Sequence, residues 1–228
     1  MIKRLLSCAL LLAPIAGAAQ VGYDPAHSPY RDLIRGMGPL FSTGYLSGER
    51  GRVPVGHSNG RTFTLGYEAS MTGPTSFTAM ITYARTDRFV VDPSKDDSVR
   101  KSGPFADDMV FVELGLRFNL TGPKSWRSFV PYLSGSAGVA LSEGSPVDSS
   151  GYKFGKKFTL SPGVGLRWYP ARRVAVTFDS RAVFWRLRYP PDFKRISSPD
   201  GIPVLAGDQP ETDWTVHPMV SFGIGWTF

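Results

Sequence analysis

Trp214-Thr215-Val216-His217-Pro218-Met219-Val220-Ser221-Phe222-Gly223-Ile224-Gly225-Trp226-Thr227-Phe228 is the stretch whose reading decides the fold. Its even positions, Trp214, Val216, Pro218, Val220, Phe222, Ile224, Trp226 and Phe228, are all apolar. Its odd positions, Thr215, His217, Met219, Ser221, Gly223, Gly225 and Thr227, are mostly small or polar. A period of two is the mark of a β-strand whose two faces meet different environments.

The same alternation recurs upstream. Val110, Val112, Leu114, Leu116, Phe118 and Leu120 oppose Glu113, Gly115, Arg117 and Asn119. Phe158, Leu160, Val164, Leu166 and Trp168 oppose Lys157, Thr159, Ser161, Gly163, Gly165 and Arg167, and Phe63, Leu65, Tyr67, Ala69 and Met71 oppose Thr62, Thr64, Gly66, Glu68 and Ser70. Eight strands are predicted, over 38–48, 60–71, 76–88, 108–120, 128–141, 156–169, 173–188 and 214–228. The first is weakly patterned, and the seventh reads as changing register near Ala182, as a bulge would make it do. No stretch carries an apolar stripe of helical period.

The connections have their own rhythm. Turn-like Thr72 to Thr75, Thr121 to Arg127 and Pro170 to Arg172 alternate with longer polar segments near 49–59, 89–107, 142–155 and 189–213. Up-and-down transmembrane barrels show this asymmetry, with short periplasmic turns and long outer loops. Alternation alone also suits a soluble lipocalin-like barrel that carries apolar ligands inside. Lipid is favoured by a polar face of Gly, Ser and Thr, since a narrow lumen needs small side chains. Aromatics near strand ends point the same way: Phe63, Phe77, Trp126, Phe129, Trp168, Tyr169, Trp185, Tyr189, Trp214, Trp226 and Phe228 read as girdles at the head groups. The expected fold is all-β: a closed, up-and-down, antiparallel transmembrane β-barrel of eight strands.

The ending Phe222-Gly223-Ile224-Gly225-Trp226-Thr227-Phe228 resembles the C-terminal strand of bacterial outer-membrane β-barrel proteins. The wider pattern, over about 38–228, is similar to the small eight-stranded members of the OmpA-transmembrane or OmpW type. The resemblance implies a Gram-negative outer membrane. It also implies that Phe222, Ile224, Trp226 and Phe228 form a signal read by the barrel-assembly machinery.

The N-terminus has Lys3 and Arg4, an apolar run from Leu5 to Ala16 and small residues Gly17 to Ala19, the layout of a cleaved secretory signal peptide over 1–19. Cys8, the sole cysteine, lies within it, so the mature chain is expected to lack thiols and disulfides. Residues 20–37 form a periplasmic or interface lead-in. There Ser28 and Pro29 can cap a short helix from Tyr30 to Arg35 stopping at Gly36, with an unstructured tail as the equal alternative. The barrel domain then runs over 38–228. Of the formal charge of +7, two belong to Lys3 and Arg4, which leaves +5. That excess suits solvated loops or anionic head groups. An exported chain without a basic run does not suggest nucleic acid.

If the small-residue faces point inward, Glu68, Glu113, Arg117, Lys157, Arg167, Asp179 and Arg181 enter the lumen, where opposite charges should pair and plug it. The functional alternative is a narrow, porin-like conduit for small solutes. Arg186, Arg188, Lys194 and Arg195 gather around Tyr189, Pro190 and Pro191, where they could meet lipopolysaccharide phosphates or simply be solvated. Catalysis is not expected: His217 and Ser221 share the inner face, His57 and Ser58 adjoin in a loop, His27 and Ser28 precede the barrel, and no third group is placed to orient any imidazole. No cofactor or metal site is implied, and Asp96, Asp97, Asp107 and Asp108 read as solvated loop charges. The expected protein is a monomer with a structural or surface-interaction role.

Overall fold

The computed structural model describes residues 27–144, 148 and 150–228. The expected signal peptide and most of the lead-in before Tyr30 lie outside the described residues. Eleven strands form: β1 (Tyr30–Asp32), β2 (Met37–Leu46), β3 (Ser58–Ser70), β4 (Thr75–Val91), β5 (Lys101–Ala106), β6 (Met109–Asn119), β7 (Lys124–Trp126), β8 (Phe129–Ser142), β9 (Gly155–Ala171), β10 (Val174–Arg188) and β11 (Thr212–Trp226).

Eight of these make the wall. The antiparallel order β8-β6-β4-β3-β2-β11-β10-β9 returns to β8, so the sheet closes and no barrel strand is left with an unpaired edge. The seam joins the first and last wall strands, from Met219 opposite Leu46 to Gly225 opposite Leu40. Phe228, two residues past β11, still exchanges backbone hydrogen bonds with Met37.

Which face is outside follows from exposure. Leu65, Ile81, Leu114, Val164, Phe222 and Ile224 are each more than half exposed, while Thr62, Thr82, Ser161 and Thr177 on the opposite faces are buried. In water such a belt would be an aggregation surface; it is stable only against hydrocarbon. The soluble carrier with apolar residues inside is therefore ruled out. A transmembrane strand needs about 10 residues. β4 and β9 have 17 each, so they continue past the lipid at the long-loop end.

Four sequence expectations change. Residues 30–35 are not helical: β1 pairs with β7, and Ser28 Oγ accepts from the Tyr30 amide in a local turn. β10 keeps one register against β11, from Val174 opposite Trp226 to Arg188 opposite Thr212, and has no bulge near Ala182. What changes there is the inward chemistry, from Thr177, Asp179 and Arg181 to buried Val183, Trp185 and Leu187. Trp185 and Tyr189 are accordingly fully buried rather than in a girdle, and Tyr169 also leaves the girdle, meeting Arg167. Asp107 is buried and paired, while Asp108 is exposed as expected.

Candidate functional site

The interior has two storeys. The lower one, toward the short turns, is polar. Glu68 on β3 accepts from Arg117 on β6 and from both terminal nitrogens of Arg167 on β9, with Arg167 Nη1 at 2.8 Å from Oε1. Glu113 on β6 accepts from Arg181 at 3.0 Å, from Ser161 at 2.6 Å and from Ser136 at 3.1 Å. Asp179 lies 3.6 Å from Arg181.

Tyr132 joins the two halves. Its hydroxyl donates to Asp179 at 2.9 Å, and its ring lies 4.4 Å from the Arg117 guanidinium and 5.8 Å from that of Arg167. Tyr132 is not among the residues that the charge pattern of the sequence singles out. The available signal was one large aromatic among Val130, Ser134, Ser136 and Gly138 on the small-residue face of β8. Gly165 makes room for it: a Cβ there would lie 2.2 Å from the Tyr132 ring.

Three carboxylates, Glu68, Glu113 and Asp179, thus meet three arginines, Arg117, Arg167 and Arg181. Balanced pairing removes the large cost of an isolated charge in a confined space. Lys157, expected among them, stands apart. It lies against the Phe154 ring at 5.7 Å, in the storey above, because β9 brings it opposite Ala140 rather than opposite a carboxylate.

The upper storey is apolar. Inward residues at the strand ends, Met109, Phe111, Val183, Trp185 and Leu187, pack with Val53 and Val55 from the first long loop, Tyr152 and Phe154 from the third, and Tyr189, Phe193 and Leu205 from the fourth. Burying each large side chain contributes about 1.5–3 kcal/mol, which is how the loops hold themselves in the mouth. Phe154 meets the His57 ring edge-on at 4.5 Å and Trp185 at 6.0 Å, and His217 stacks on Trp185 at 3.5 Å.

A buried charged knot fastens this cap. Arg88 near the end of β4 pairs with Asp107 and, at 2.7 Å, with Asp148; Asp107 also accepts from Ser142 at 2.7 Å and lies 3.2 Å from His57 Nε2. Burial lowers the His57 pKa, so the imidazole is neutral at neutral pH. Burial alone would raise the Asp107 carboxyl, but contacts from His57, Ser142 and Arg88 outweigh it and hold the group at about 2.

His57 thus has an acidic neighbour that the sequence did not assign. A nucleophile would also have to reach the imidazole. The nearby hydroxyls are engaged otherwise: Ser58 donates to the Gly48 carbonyl at 2.8 Å and Ser142 to Asp107. His217 shares a hydrogen bond with Thr215 at 2.9 Å and makes none with Ser221.

On the exterior, Arg186 and Arg188 point outward from β10, and Arg186 donates to Thr212 at 2.8 Å. Lys194 and Arg195 are engaged by Glu211 and Asp192 at 3.7 and 3.1 Å. The four do not form one free cluster. Asp96 and Asp97 exchange contacts with Asp200, tying the second long loop to the fourth.

No family model and no curated protein matches the chain. Among solved structures it is similar to Neisserial surface protein A, with TM-score 0.51 and 10% identity, covering 88% of this chain and 98% of that one. It is also similar to the outer membrane protein OprG from Pseudomonas aeruginosa, with TM-score 0.50 and 10% identity, covering 86% and 98%. At such identity the likeness establishes the shared fold, a closed eight-stranded antiparallel barrel.

Proposed function

We propose that this chain is an integral outer-membrane barrel whose interior is closed by its own side chains and which serves a structural or surface-interaction role at the cell surface. The carrying observation is the double filling of the lumen, ion pairs below and an apolar, loop-fed cap above. Two spaces that border the lower network measure about 50 and 30 Å³. A single water needs roughly 10–15 Å³, so each space holds a few waters rather than a continuous file. An eight-stranded barrel is just wide enough to be filled in this way.

The long loops then lie outside the cell and the short turns in the periplasm. The last strand fits the terminal assembly signal that the resemblance implies, with Phe222, Ile224, Trp226 and Phe228 all exposed on one face. Arg186 and Arg188, near exposed Trp214, suit contact with lipopolysaccharide phosphates, while Lys194 and Arg195 already have acidic partners. A monomer fits a belt that is fully satisfied by lipid.

Closure is tested in planar bilayers. The purified barrel is expected to give no openings above the detergent background. Discrete, reproducible openings would establish the narrow pore instead.

A further inference from the structure

Two arginines face each other on the outside of the wall. In the β3–β4 ladder Arg61 stands directly opposite Arg85, and both are exposed at the long-loop edge of the apolar belt. Like charges placed directly opposite across an antiparallel pair repel. Neither joins an ion pair among the described residues. The acids nearby are engaged: Asp87 with Arg50 at 3.1 Å, and Asp108 as acceptor from the Tyr83 hydroxyl. Arg85 keeps its guanidinium 6.0 Å from the Tyr83 ring, at the level where amphipathic rings meet head groups.

Immediately below lies an open apolar groove on the same face. Phe41, Phe63, Leu65, Ile81, Phe222 and Ile224 wall it, and the small Thr43 lies among them. Register continues the site downward, with Phe63 opposite Tyr83 and Leu65 opposite Ile81 one and two outward steps below the arginines. Two unneutralised cations set over an apolar groove match a molecule with an anionic head and a hydrocarbon tail. A soluble anion would leave the groove unused, and an uncharged lipid would leave the repulsion between the arginines in place.

We infer that Arg61 and Arg85 together clamp a phosphate of a phosphorylated, acylated lipid whose chain lies along this groove. Each guanidinium can give two parallel hydrogen bonds to phosphate oxygens, and the shared anion turns a repulsive pair into a bridged one. The site is on β3 and β4, separate from Arg186 and Arg188 on β10. It rests on the membrane reading above, because the groove is useful only in lipid.

The test compares the full-length mature chain with Arg61→Gln/Arg85→Gln in phosphatidylcholine vesicles containing either bisphosphorylated lipid A or its dephosphorylated form. Lipid retained after gentle extraction is counted by native mass spectrometry. A double substitution at the other end, Lys124→Gln/Arg172→Gln, is the charge-matched control. Wild type and control should retain the phosphorylated lipid, and the Arg61/Arg85 variant about tenfold less. In phosphatidylcholine alone the variant should melt no lower than wild type, because repulsion is relieved, and the order should reverse once phosphorylated lipid is present. Equal retention by variant and wild type, or equal retention of the dephosphorylated lipid, overturns the clamp. Failure of the wild type to insert in vesicles overturns the membrane reading and the clamp with it.

Discussion

Glu68 is shared by two guanidinium groups, and among the described residues no other carboxylate pairs with either of them. Removing one partner from a buried ion pair costs more than the pair itself contributes, because the charge left behind has lost its solvent. Glu68→Gln should therefore destabilise the folded barrel by about 3 kcal/mol, read by urea unfolding in lipid. An unchanged midpoint would mean that water already solvates Arg117 and Arg167. His57 tells a different story in the loops. Its folded pKa is depressed below 6.5 by burial, so its contribution is full above that value and is lost as pH falls through it toward the folded pKa. Asp107, held at about 2, stays ionised throughout. The cap should loosen as the pH falls below 6.5, seen as a change in Trp185 emission or faster loop proteolysis, and His57→Gln should flatten that response. A profile unchanged by the substitution would assign the titration to another group.

At the level of elements, the closing seam is the most exacting feature. A Cβ on Gly38 would fall 1.6 Å from the Trp226 carbonyl oxygen, and one on Gly44 2.2 Å from that of Val220. Neither obstacle is a flexible side-chain end; both are backbone of β11. Gly38→Ala should weaken closure by about 2 kcal/mol, measured as a lower melting point of the folded, heat-modifiable species on gels. Normal melting would show that β2 and β11 can separate slightly without cost. Strand positions were legible in the sequence wherever the inner face stays polar, as in β9 and the lower part of β11. In β10 the strand itself was legible but its register was misread, because Val183 and Trp185 make the inner face apolar too. Alternation reports contrast between two environments, and near the cap that contrast disappears. The strand character of β1 was hidden for another reason, since Tyr30–Asp32 is held by pairing with Lys124–Trp126, about 95 residues away, and not by a local pattern.

For the whole molecule, the apolar belt and the seam make one statement about location. The mature chain is expected in the outer-membrane fraction as a heat-modifiable band. Deleting Phe228 should leave export intact but remove that band, because the terminal residue both carries the proposed assembly signal and pairs with Met37. Recovery of the intact chain in soluble periplasm, without detergent, would contradict the membrane assignment. Insertion unaffected by the deletion would remove the signal role from Phe228.

The chain of alternating residues ending in Trp226-Thr227-Phe228 determined by itself that there are strands, about how many, and which side chains share a face, because pleating makes facing a local property. It also set Glu68, Glu113, Arg117, Arg167, Asp179 and Arg181 on the small-residue faces of their strands. Only the tertiary structure decided which acid meets which arginine, that Tyr132 links them, that Lys157 stands apart, and that loops carrying Val53, Phe154 and Phe193 fill the mouth. Those outcomes depend on the stagger of eight strands around a closed ring and on contacts between distant segments. The same stagger sets Arg61 against Arg85, a juxtaposition that no single strand of the sequence contains.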